Sequence, residues 1–196
     1  MPSSWPIVFM GTPEIAAVTL QMLTDGSDPV VGVVTQPDRP TGRGQQSRRS
    51  PVRRMAESRG IPVITPMKIR DSGVLDALRS WNPKLIVVVA FGRILPKSIL
   101  DLAPHGCLNV HYSLLPKYRG AAPVPWTIIN GEQKGGVTTM QLVEQLDAGP
   151  IYLQEEIQLD EHETTDSLQA KLAPLGAQLL LKTISGLKDN SLQPHD

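Results

Sequence analysis

The chain has 196 residues, of which 40% are hydrophobic and 19% charged, and these totals suit one globular domain with a buried core and argue against global disorder. Its formal net charge is zero. The single cysteine, Cys107, excludes an internal disulfide, fits a reducing compartment, and is typical of a small buried residue more than of a nucleophile.

Nothing in the sequence predicts export or insertion into a membrane. The first apolar run has no Lys or Arg before it, and Pro13 and Glu14 interrupt it. No apolar run approaches the length that spans a bilayer. We therefore expect a cytoplasmic protein with no membrane partner, and we expect a monomer.

Charge is distributed unevenly along the chain. Residues 1–131 carry 15 Lys and Arg against 8 Asp and Glu, a net charge of +7. Residues 132–196 carry 4 against 11, a net charge of −7. A basic half in a neutral chain indicates a local anionic partner, and nucleic acid is one option. Aromatic residues are scarce, so stacking platforms for single-stranded RNA are not evident.

The first 35 residues predict a strand, a helix and a second strand. Residues 6–11 and 30–35 are short apolar runs that are typical of buried strands. Between them we expect a helix with Thr12 as its N-cap and Pro13 as its first residue. This β-α-β order predicts a parallel pair. Gly11 lacks the spaced glycines of a dinucleotide fingerprint, which argues against a nicotinamide or flavin enzyme.

Residues 36–50 are the longest stretch without apolar side chains, and they predict a loop. Six arginines and one acid lie between Asp38 and Arg54. Guanidinium groups suit phosphate recognition, but a solvated basic loop without a ligand has the same composition. The arginines are Arg39, Arg43, Arg48, Arg49, Arg53 and Arg54.

The alternation of strands and helices continues beyond this loop. Ser50 and Pro51 predict a helix start, with Ser as the N-cap. The most continuous β-branched run, residues 85–90, predicts a central parallel strand. These patterns predict an α/β fold, a Rossmann-like open and mostly parallel twisted sheet with helices on both faces. Further elements are a strand at 61–64, helices at 72–81, 96–102 and 121–130, strands at 135–143 (at an edge of the sheet) and 151–159, and a helix at 166–187 with a kink at Pro174.

The strand predicted at residues 106–111 carries the strongest chemical signal. Asn109 and His111 are two residues apart, so their side chains point to the same face of that strand. The amide can donate a hydrogen bond to a developing oxyanion, and the imidazole can move protons near neutral pH. Ligands of open parallel sheets bind at this end of the strands. A lone histidine here is also compatible with a purely structural role.

Two other segments are candidates for binding or catalysis. The turn at residues 91–96 follows the central strand, and a flat ligand could approach the backbone at Gly92 closely. Asp147 lies in a Gly-Pro loop between two strands, where an aspartate is compatible with an ordinary turn. We find no Cys, His or carboxylate cluster with metal-ligand spacing, and we predict no metal site.

Several of these stretches resemble one known family. They are Thr-Gln-Pro-Asp-Arg-Pro at 35–40 with Gly-Arg-Gly at 42–44, Asn-x-His-x-Ser-Leu-Leu-Pro at 109–116, and Asp-x-Gly at 147–149. The stretch at 109–116 resembles the signature of enzymes that use 10-formyltetrahydrofolate. Its continuation at 117–123, Lys-Tyr-Arg-Gly-Ala-Ala-Pro, resembles the methionyl-tRNA formyltransferase branch. The resemblance covers nearly the whole chain.

The resemblance implies transfer of a formyl group from 10-formyltetrahydrofolate, the donor substrate, to the α-amine of initiator methionyl-tRNA. The implied reaction passes through a tetrahedral intermediate. Asn109 and protonated His111 would stabilise the oxyanion, and Asp147 would set the charge and position of His111. The resemblance further implies that folate binds Gly92, Ile94, Leu95, Ser113, Leu114, Leu115 and Pro116, and that Arg43 contacts the tRNA acceptor end.

The chain departs from the family pattern in two respects. Tyr112 stands where the family usually has a smaller residue, which predicts a narrowed or reshaped folate site. Full-length members continue past this length into a β-barrel domain that helps to bind tRNA. We therefore expect residues 1–190 to be the catalytic domain and residues 191–196 to be a tail or the start of a linker.

Three alternatives stay open on the sequence. The first keeps the formyl donor and changes the acceptor to a small amine, such as glycinamide ribonucleotide or an amino-sugar nucleotide. The second is a formyltetrahydrofolate hydrolase. The third belongs to another class and is a non-catalytic α/β domain that binds a ligand or RNA.

Overall fold

The computed structural model describes residues 4–41 and 46–195, and its main feature is a seven-stranded sheet with the order β5-β2-β1-β6-β7-β8-β9. A separate antiparallel pair, β3 and β4, forms a hairpin. The elements are β1 (Ile7–Gly11), α1 (Glu14–Thr24), β2 (Val30–Val34), β3 (Arg39–Thr41), β4 (Gln46–Arg48), α2 (Pro51–Ser58), β5 (Val63–Ile64), α3 (Ser72–Trp81), β6 (Leu85–Val89), α4 (Lys97–Leu100), β7 (Cys107–His111), α5 (Pro123–Ile129), β8 (Lys134–Gln141), β9 (Ile151–Gln158) and α6 (Thr165–Lys188).

The sheet confirms the predicted fold class. The first five strands in the sheet order, β5-β2-β1-β6-β7, are parallel. Strands β8 and β9 follow in antiparallel orientation. The run at Leu85–Val89 is the predicted central strand, since β6 lies between β1 and β7 and all its residues are buried. Among the described residues, no helix is both long and apolar enough to cross a bilayer.

The sheet separates two hydrophobic cores because side chains alternate along each strand. Ile7 and Phe9 of β1 face a core formed with helices α1, α2, α5 and α6. Val8 and Met10 face a second core formed with α3 and α4. We call these the first core and the second core. Helices on both faces were predicted, and the continuous apolar runs of the parallel strands reflect burial on both sides.

Two details of the prediction are wrong. Thr12 does not cap α1: Pro13 takes the N-cap position in an extended conformation and the helix begins at Glu14. Thr12 Oγ1 instead accepts a hydrogen bond from the backbone N–H of Gln36 at 3.4 Å. The strand predicted at 135–143 is not at an edge, because β9 pairs along its outer side and is itself the edge.

The arginine-rich stretch, predicted as a loop, contains the β3–β4 hairpin, in which Arg39 pairs with Arg48 and Thr41 with Gln46. The residues on either side of the hairpin are in contact, because the Ser50 hydroxyl is 2.8 Å from the Thr35 hydroxyl. The same oxygen caps α2, accepting from the backbone N–H of Arg53 at 3.0 Å, as the sequence predicted. The hairpin is thus joined to both β2 and α2.

The last helix, α6, runs through Pro174 and is fixed at its end. Lys188 in its last turn forms an ion pair with Asp28, and both side chains are about nine-tenths buried. Asp28 also accepts from the backbone N–H of Trp5 at 2.8 Å. Beyond the helix, His195 exchanges two backbone hydrogen bonds with Ile151 of β9.

Tyr112 points away from the predicted folate segments and into the first core. Its hydroxyl lies 3.5 Å from both Thr19 Oγ1 and the Ile15 carbonyl of α1. Its ring lies against Gly176 of α6, where an added Cβ would come within 2.9 Å of Tyr112 Cε1 and 3.0 Å of Val110 Cγ1. The large side chain is therefore accommodated by a glycine in the helix and does not narrow a cleft at the site.

We expect Gly176→Ala to lower the free energy of unfolding by about 1–3 kcal/mol through overpacking against Tyr112. Gly73→Ala is the control, because an added Cβ in α3 meets nothing within 4 Å. That change should leave stability unchanged or raise it by up to about 1 kcal/mol through helix propensity. Urea unfolding of both variants measures the difference, and equal shifts would contradict the packing account.

Candidate active site

The face of β7 that is opposite the first core carries the candidate site. Leu108 and Val110 belong to the first core and Cys107 to the second. By alternation, Asn109 and His111 share the face of Cys107. Asn109 and His111 are 8% and 6% exposed, so both polar side chains are largely removed from water.

Asp147 comes to His111 from the loop between β8 and β9. One carboxylate oxygen, Oδ2, lies 3.8 Å from His111 Nδ1 and accepts the backbone N–H of Gly120 at 2.7 Å. The distance to the ring is too long for a hydrogen bond but within the range of an ion pair when the ring is protonated. Asp147 has φ of +44°, a left-handed conformation that aspartate tolerates better than most residues.

The other ring nitrogen of His111 also faces an acceptor. Nε2 lies 2.9 Å from the Tyr118 carbonyl. Because a carbonyl oxygen only accepts, Nε2 carries the hydrogen in this arrangement. A charged imidazolium would have N–H groups toward both acceptors, whereas each neutral tautomer leaves one nitrogen lone pair facing an oxygen. The ring therefore has an oxygen acceptor beside each of its nitrogens.

Asn109 differs from His111 and Asp147 in the hydrogen bonding of its side chain. None of the described residues makes a hydrogen bond to its amide. The backbone of Asn109 is fixed by Val88 on one side and Met140 on the other, so the amide projects from a rigid strand. An amide held in this way can donate to an oxygen of a ligand without first breaking an internal bond.

The turn after β7 is held by residues that the sequence did not indicate. Thr138, which pairs with His111 across the β7–β8 ladder, donates to the Ser113 carbonyl at 2.7 Å and accepts from Leu115 N at 3.2 Å. Gln154 Nε2 donates to the Leu115 carbonyl at 2.9 Å. The sequence signal for Thr138 was its polar side chain in the alternating pattern of β8. The pairing with His111 then places it beside the end of β7.

The predicted folate residues of this turn differ in accessibility. Ser113 and Leu115 are buried, and Ser113 Oγ donates to the Lys117 carbonyl at 2.6 Å. Pro116 is exposed and Leu114 is partly so. Both line a cavity of about 700 Å³ between this turn and the start of β8, but Asn109, His111 and Asp147 do not line it. The candidate catalytic side chains are thus buried beside this cavity and outside it.

The turn after β6 lies beside this end of β7 and is tied to neighbouring loops. Gln36 Nε2 donates to the Phe91 carbonyl at 2.7 Å, and Arg93 Nη1 donates to the Met67 carbonyl at 2.7 Å. Gly92 has φ of +74°, and an added Cβ there would lie 2.6 Å from Gln36 Nε2. The predicted folate residues Gly92 and Ile94 are exposed in this turn, whereas Leu95 packs in the second core.

The arginine-rich region contains both paired and exposed side chains. Arg53 bonds to Asp38 at 2.7 Å and to Glu57 at 2.8 Å, and Arg49 bonds to Glu57 at 2.7 Å. The hydrogen bond from Arg53 lowers the pKa of the Glu57 carboxyl. Arg48 is exposed. The predicted tRNA contact, Arg43, lies outside the described residues.

Cys107 is not placed to act as a nucleophile. Its thiol is buried below Asn109 on the same strand face, with Sγ 3.7 Å from the Ile99 carbonyl. Burial raises the pKa of this thiol to about 12. Among the residues that the structure describes, no group of three or more His, Cys, Asp or Glu side chains could hold a metal ion.

Comparison with known proteins gives a consistent result. The model of the formyl transferase family matches residues 6–184. Methionyl-tRNA formyltransferase from Pelobacter propionicus is 52% identical over 192 residues, which cover 98% of this chain and 60% of that protein. The same enzyme from Desulfotalea psychrophila is 54% identical over 187 residues, covering 95% and 58% respectively. This chain therefore spans less than two thirds of these relatives.

Solved structures of low sequence identity share the fold. Glycinamide ribonucleotide transformylase 1 from Symbiobacterium toebii has a TM-score of 0.81 to this chain at 17% identity. The alignment covers 98% of this chain and 95% of that one. At this identity the likeness shows the architecture and carries no argument about the substrate.

We expect the native protein to resist alkylation of Cys107 by iodoacetamide at pH 8, because only the thiolate reacts and its pKa of about 12 keeps it scarce. In urea the exposed thiol should react readily. Mass spectrometry of the labelled fraction measures both rates. Equal labelling of the native and the unfolded chain would contradict the burial described for Cys107.

Proposed function

This chain belongs to the formyl transferase family, and we propose that it transfers a formyl group from 10-formyltetrahydrofolate to the α-amine of initiator methionyl-tRNA. The observation that carries the proposal is that buried His111, on the strand that also presents Asn109, lies 3.8 Å from the buried carboxylate of Asp147, which comes from the loop between β8 and β9. Relatives that are 52% and 54% identical carry the name methionyl-tRNA formyltransferase, which supports this acceptor.

In the first step the substrate amine attacks the formyl carbon. A C–N bond forms, and the carbonyl oxygen becomes an oxyanion. The amide of Asn109 donates to this oxygen. Protonated His111 provides positive charge and a second donor when its Nε2–H is shared between the Tyr118 carbonyl and the substrate oxygen. Asp147 stabilises the imidazolium from its other side and is itself fixed by the N–H of Gly120.

In the second step the bond between the formyl carbon and N10 of the folate breaks. The oxyanion re-forms the carbonyl, the amine loses a proton, and N10 gains one. Protonated His111 gives a proton to N10 and then accepts one from the amine, as an imidazole can near neutral pH. The reaction uses the folate as a substrate and needs no metal in this proposal.

The two substrates are assigned to different sides of the site. The exposed backbone at Gly92 and the side chain of Ile94 are proposed to contact the folate from the turn after β6, and Leu114 and Pro116 from the turn after β7. The β3–β4 hairpin and the start of α2 are proposed to contact the phosphates of the tRNA acceptor end. Arg43 is one of the residues proposed to make these contacts. We further propose a cytoplasmic monomer.

The assay is formylation of methionyl-tRNA by the 196-residue chain with 10-formyltetrahydrofolate, compared with glycinamide ribonucleotide as acceptor. We expect formyl-methionyl-tRNA as the product. Formylation of the small amine alone would overturn the proposed acceptor, and release of formate without a formylated product would indicate a hydrolase. Folate binding without any turnover would indicate a non-catalytic binding domain.

We expect Asn109→Ala to lower kcat roughly 10²–10³-fold, because it removes a donor to the oxyanion. His111→Ala should lower kcat at least as much, since it removes the charge and the proton carrier. His162→Ala is the matched control, as His162 lies in an exposed turn before α6. Single-turnover rates measure the effect, and unchanged rates in both site variants would refute the catalytic roles.

If the hairpin binds phosphates, Arg48→Gln should reduce the salt dependence of methionyl-tRNA binding. The slope of log affinity against log salt concentration should become less steep by about 1, since one phosphate contact is lost. Arg79→Gln is the control, because Arg79 is also exposed but lies on α3. Binding isotherms at several salt concentrations measure the slope. Identical slopes for both variants would mean that Arg48 does not contact a phosphate of the tRNA.

A further inference from the structure

The carbonyl that faces His111 belongs to a residue in a constrained conformation. Tyr118 has φ of +57°, the left-handed region that a tyrosine rarely adopts. Its carbonyl oxygen lies 2.9 Å from His111 Nε2. A non-glycine residue keeps this backbone conformation only when its surroundings hold it there. The contacts of the Tyr118 side chain therefore bear on the orientation of the imidazole.

Two residues at the junction of α5 and β8 hold that side chain. The Tyr118 hydroxyl donates to Glu132 Oε1 at 2.6 Å and accepts from Asn130 Nδ2 at 2.9 Å. The backbone of Glu132 is tied to α5, because its N–H donates to the Thr127 carbonyl at 3.2 Å. The tyrosine is thus anchored at its outer end to a helix terminus and at its inner end to His111.

Glu132 is suited to act as a strong acceptor. Hydrogen bonds from Tyr118 and from Lys117 lower the pKa of its carboxyl. Lys117 Nζ lies 3.0 Å from both carboxylate oxygens. A charged acceptor forms a stronger bond to a phenolic O–H than a neutral one does.

We propose that Glu132 and Tyr118 are positioning residues for His111: their hydrogen bond holds the Tyr118 carbonyl at Nε2, which fixes the ring orientation and the tautomer that faces Asp147. The catalytic consequence rests on the function proposed above, while the effect on the ring does not. With Nε2–H bonded to the carbonyl, Nδ1 is the nitrogen that accepts a proton beside Asp147. The charged ring then has an acceptor at each nitrogen.

Loss of the anchor has a defined effect. If the Tyr118 carbonyl moves away, Asp147 becomes the one remaining acceptor beside the ring, and the neutral imidazole gains by placing its hydrogen on Nδ1. The neutral population then moves from the Nε2–H tautomer toward the Nδ1–H tautomer. A purely structural role for the Tyr118–Glu132 contact, such as supporting the wall of the cavity beside it, predicts a lower melting temperature without this change.

The test is ¹⁵N NMR of the imidazole nitrogens in the 196-residue chain, with the His111 signals assigned by their loss in His111→Ala. The spectra are recorded at the high-pH end of the titration, where the ring is neutral. We expect the Nε2–H tautomer in the unmodified protein and a several-fold rise in the Nδ1–H to Nε2–H ratio in Tyr118→Phe. Glu132→Ala should shift the ratio in the same direction.

Two matched variants separate positioning from general perturbation. Tyr152→Phe removes another part-buried phenolic hydroxyl, one that bonds to Gln141 at 2.9 Å, and should leave the His111 tautomer unchanged. Lys117→Met removes the ammonium group that pairs with Glu132 but keeps the Tyr118–Glu132 hydrogen bond, and it should also leave the His111 tautomer unchanged. An unaltered tautomer in Tyr118→Phe, or an equal shift in Tyr152→Phe, overturns the inference.

Formylation kinetics of the same variants then separate the inference from the proposed function. Tyr118→Phe should lower kcat several-fold with the KM for the folate unchanged, because the imidazole is misoriented while the donor site is intact. If His111→Ala retains full formylation, the proposed function fails, and the NMR result still decides the positioning role. If the tautomer shifts without any loss in kcat, the ring orientation is not relevant to turnover and the catalytic part of the inference is wrong.

Discussion

Side-chain alternation along β7 is the constraint on which the rest of the site depends. Leu108 and Val110 complete the first core, and the intervening Asn109 and His111 face the other way. A shift of one residue in strand register would exchange these roles, placing an imidazole among apolar side chains. Both neighbours prevent this, since β6 pairs with β7 through Val88 and Asn109 and β8 pairs with it through Thr138 and His111. The packing of the sheet therefore also determines where the candidate site lies.

One short backbone loop contacts both the imidazole and the carboxylate of the candidate site. The carbonyl of Tyr118 contacts His111, and two residues later the N–H of Gly120 contacts Asp147. The imidazole and the carboxylate are far apart in sequence, yet the same loop fixes their relative position. Because the side chains of His111 and Asp147 are largely buried, each contact is electrostatically stronger than it would be at the surface. Such an arrangement costs little reorganisation when charge develops during a reaction.

The sequence was sufficient for the features that depend on local pattern. The buried runs at Ile7–Gly11 and Leu85–Val89 and the Ser50 cap follow from hydrophobic period and turn chemistry, and the fold class follows from their order. The N-cap of α1 was missed because Pro13 adopts the extended conformation that a cap needs, which frees Thr12 for another contact. For the candidate site, spacing gave the shared face of Asn109 and His111. The contacts of Tyr118 with His111 and with Glu132 could not be predicted. One uses a backbone carbonyl and the other a hydroxyl bond between distant residues, and neither depends on a recognisable residue spacing.

The two borders of the sheet have a consequence for how this protein behaves at high concentration. An exposed strand border is a template for pairing with another chain, and long apolar borders promote aggregation. Here one border, β5, has only two residues. The other, β9, carries Glu155 and Glu156, and its first residue, Ile151, is already paired with His195. Short length at one border, and charge with a local backbone partner at the other, disfavour strand exchange between molecules. The sheet can thus hold the candidate site on an inner strand without exposing borders that pair readily with a second molecule.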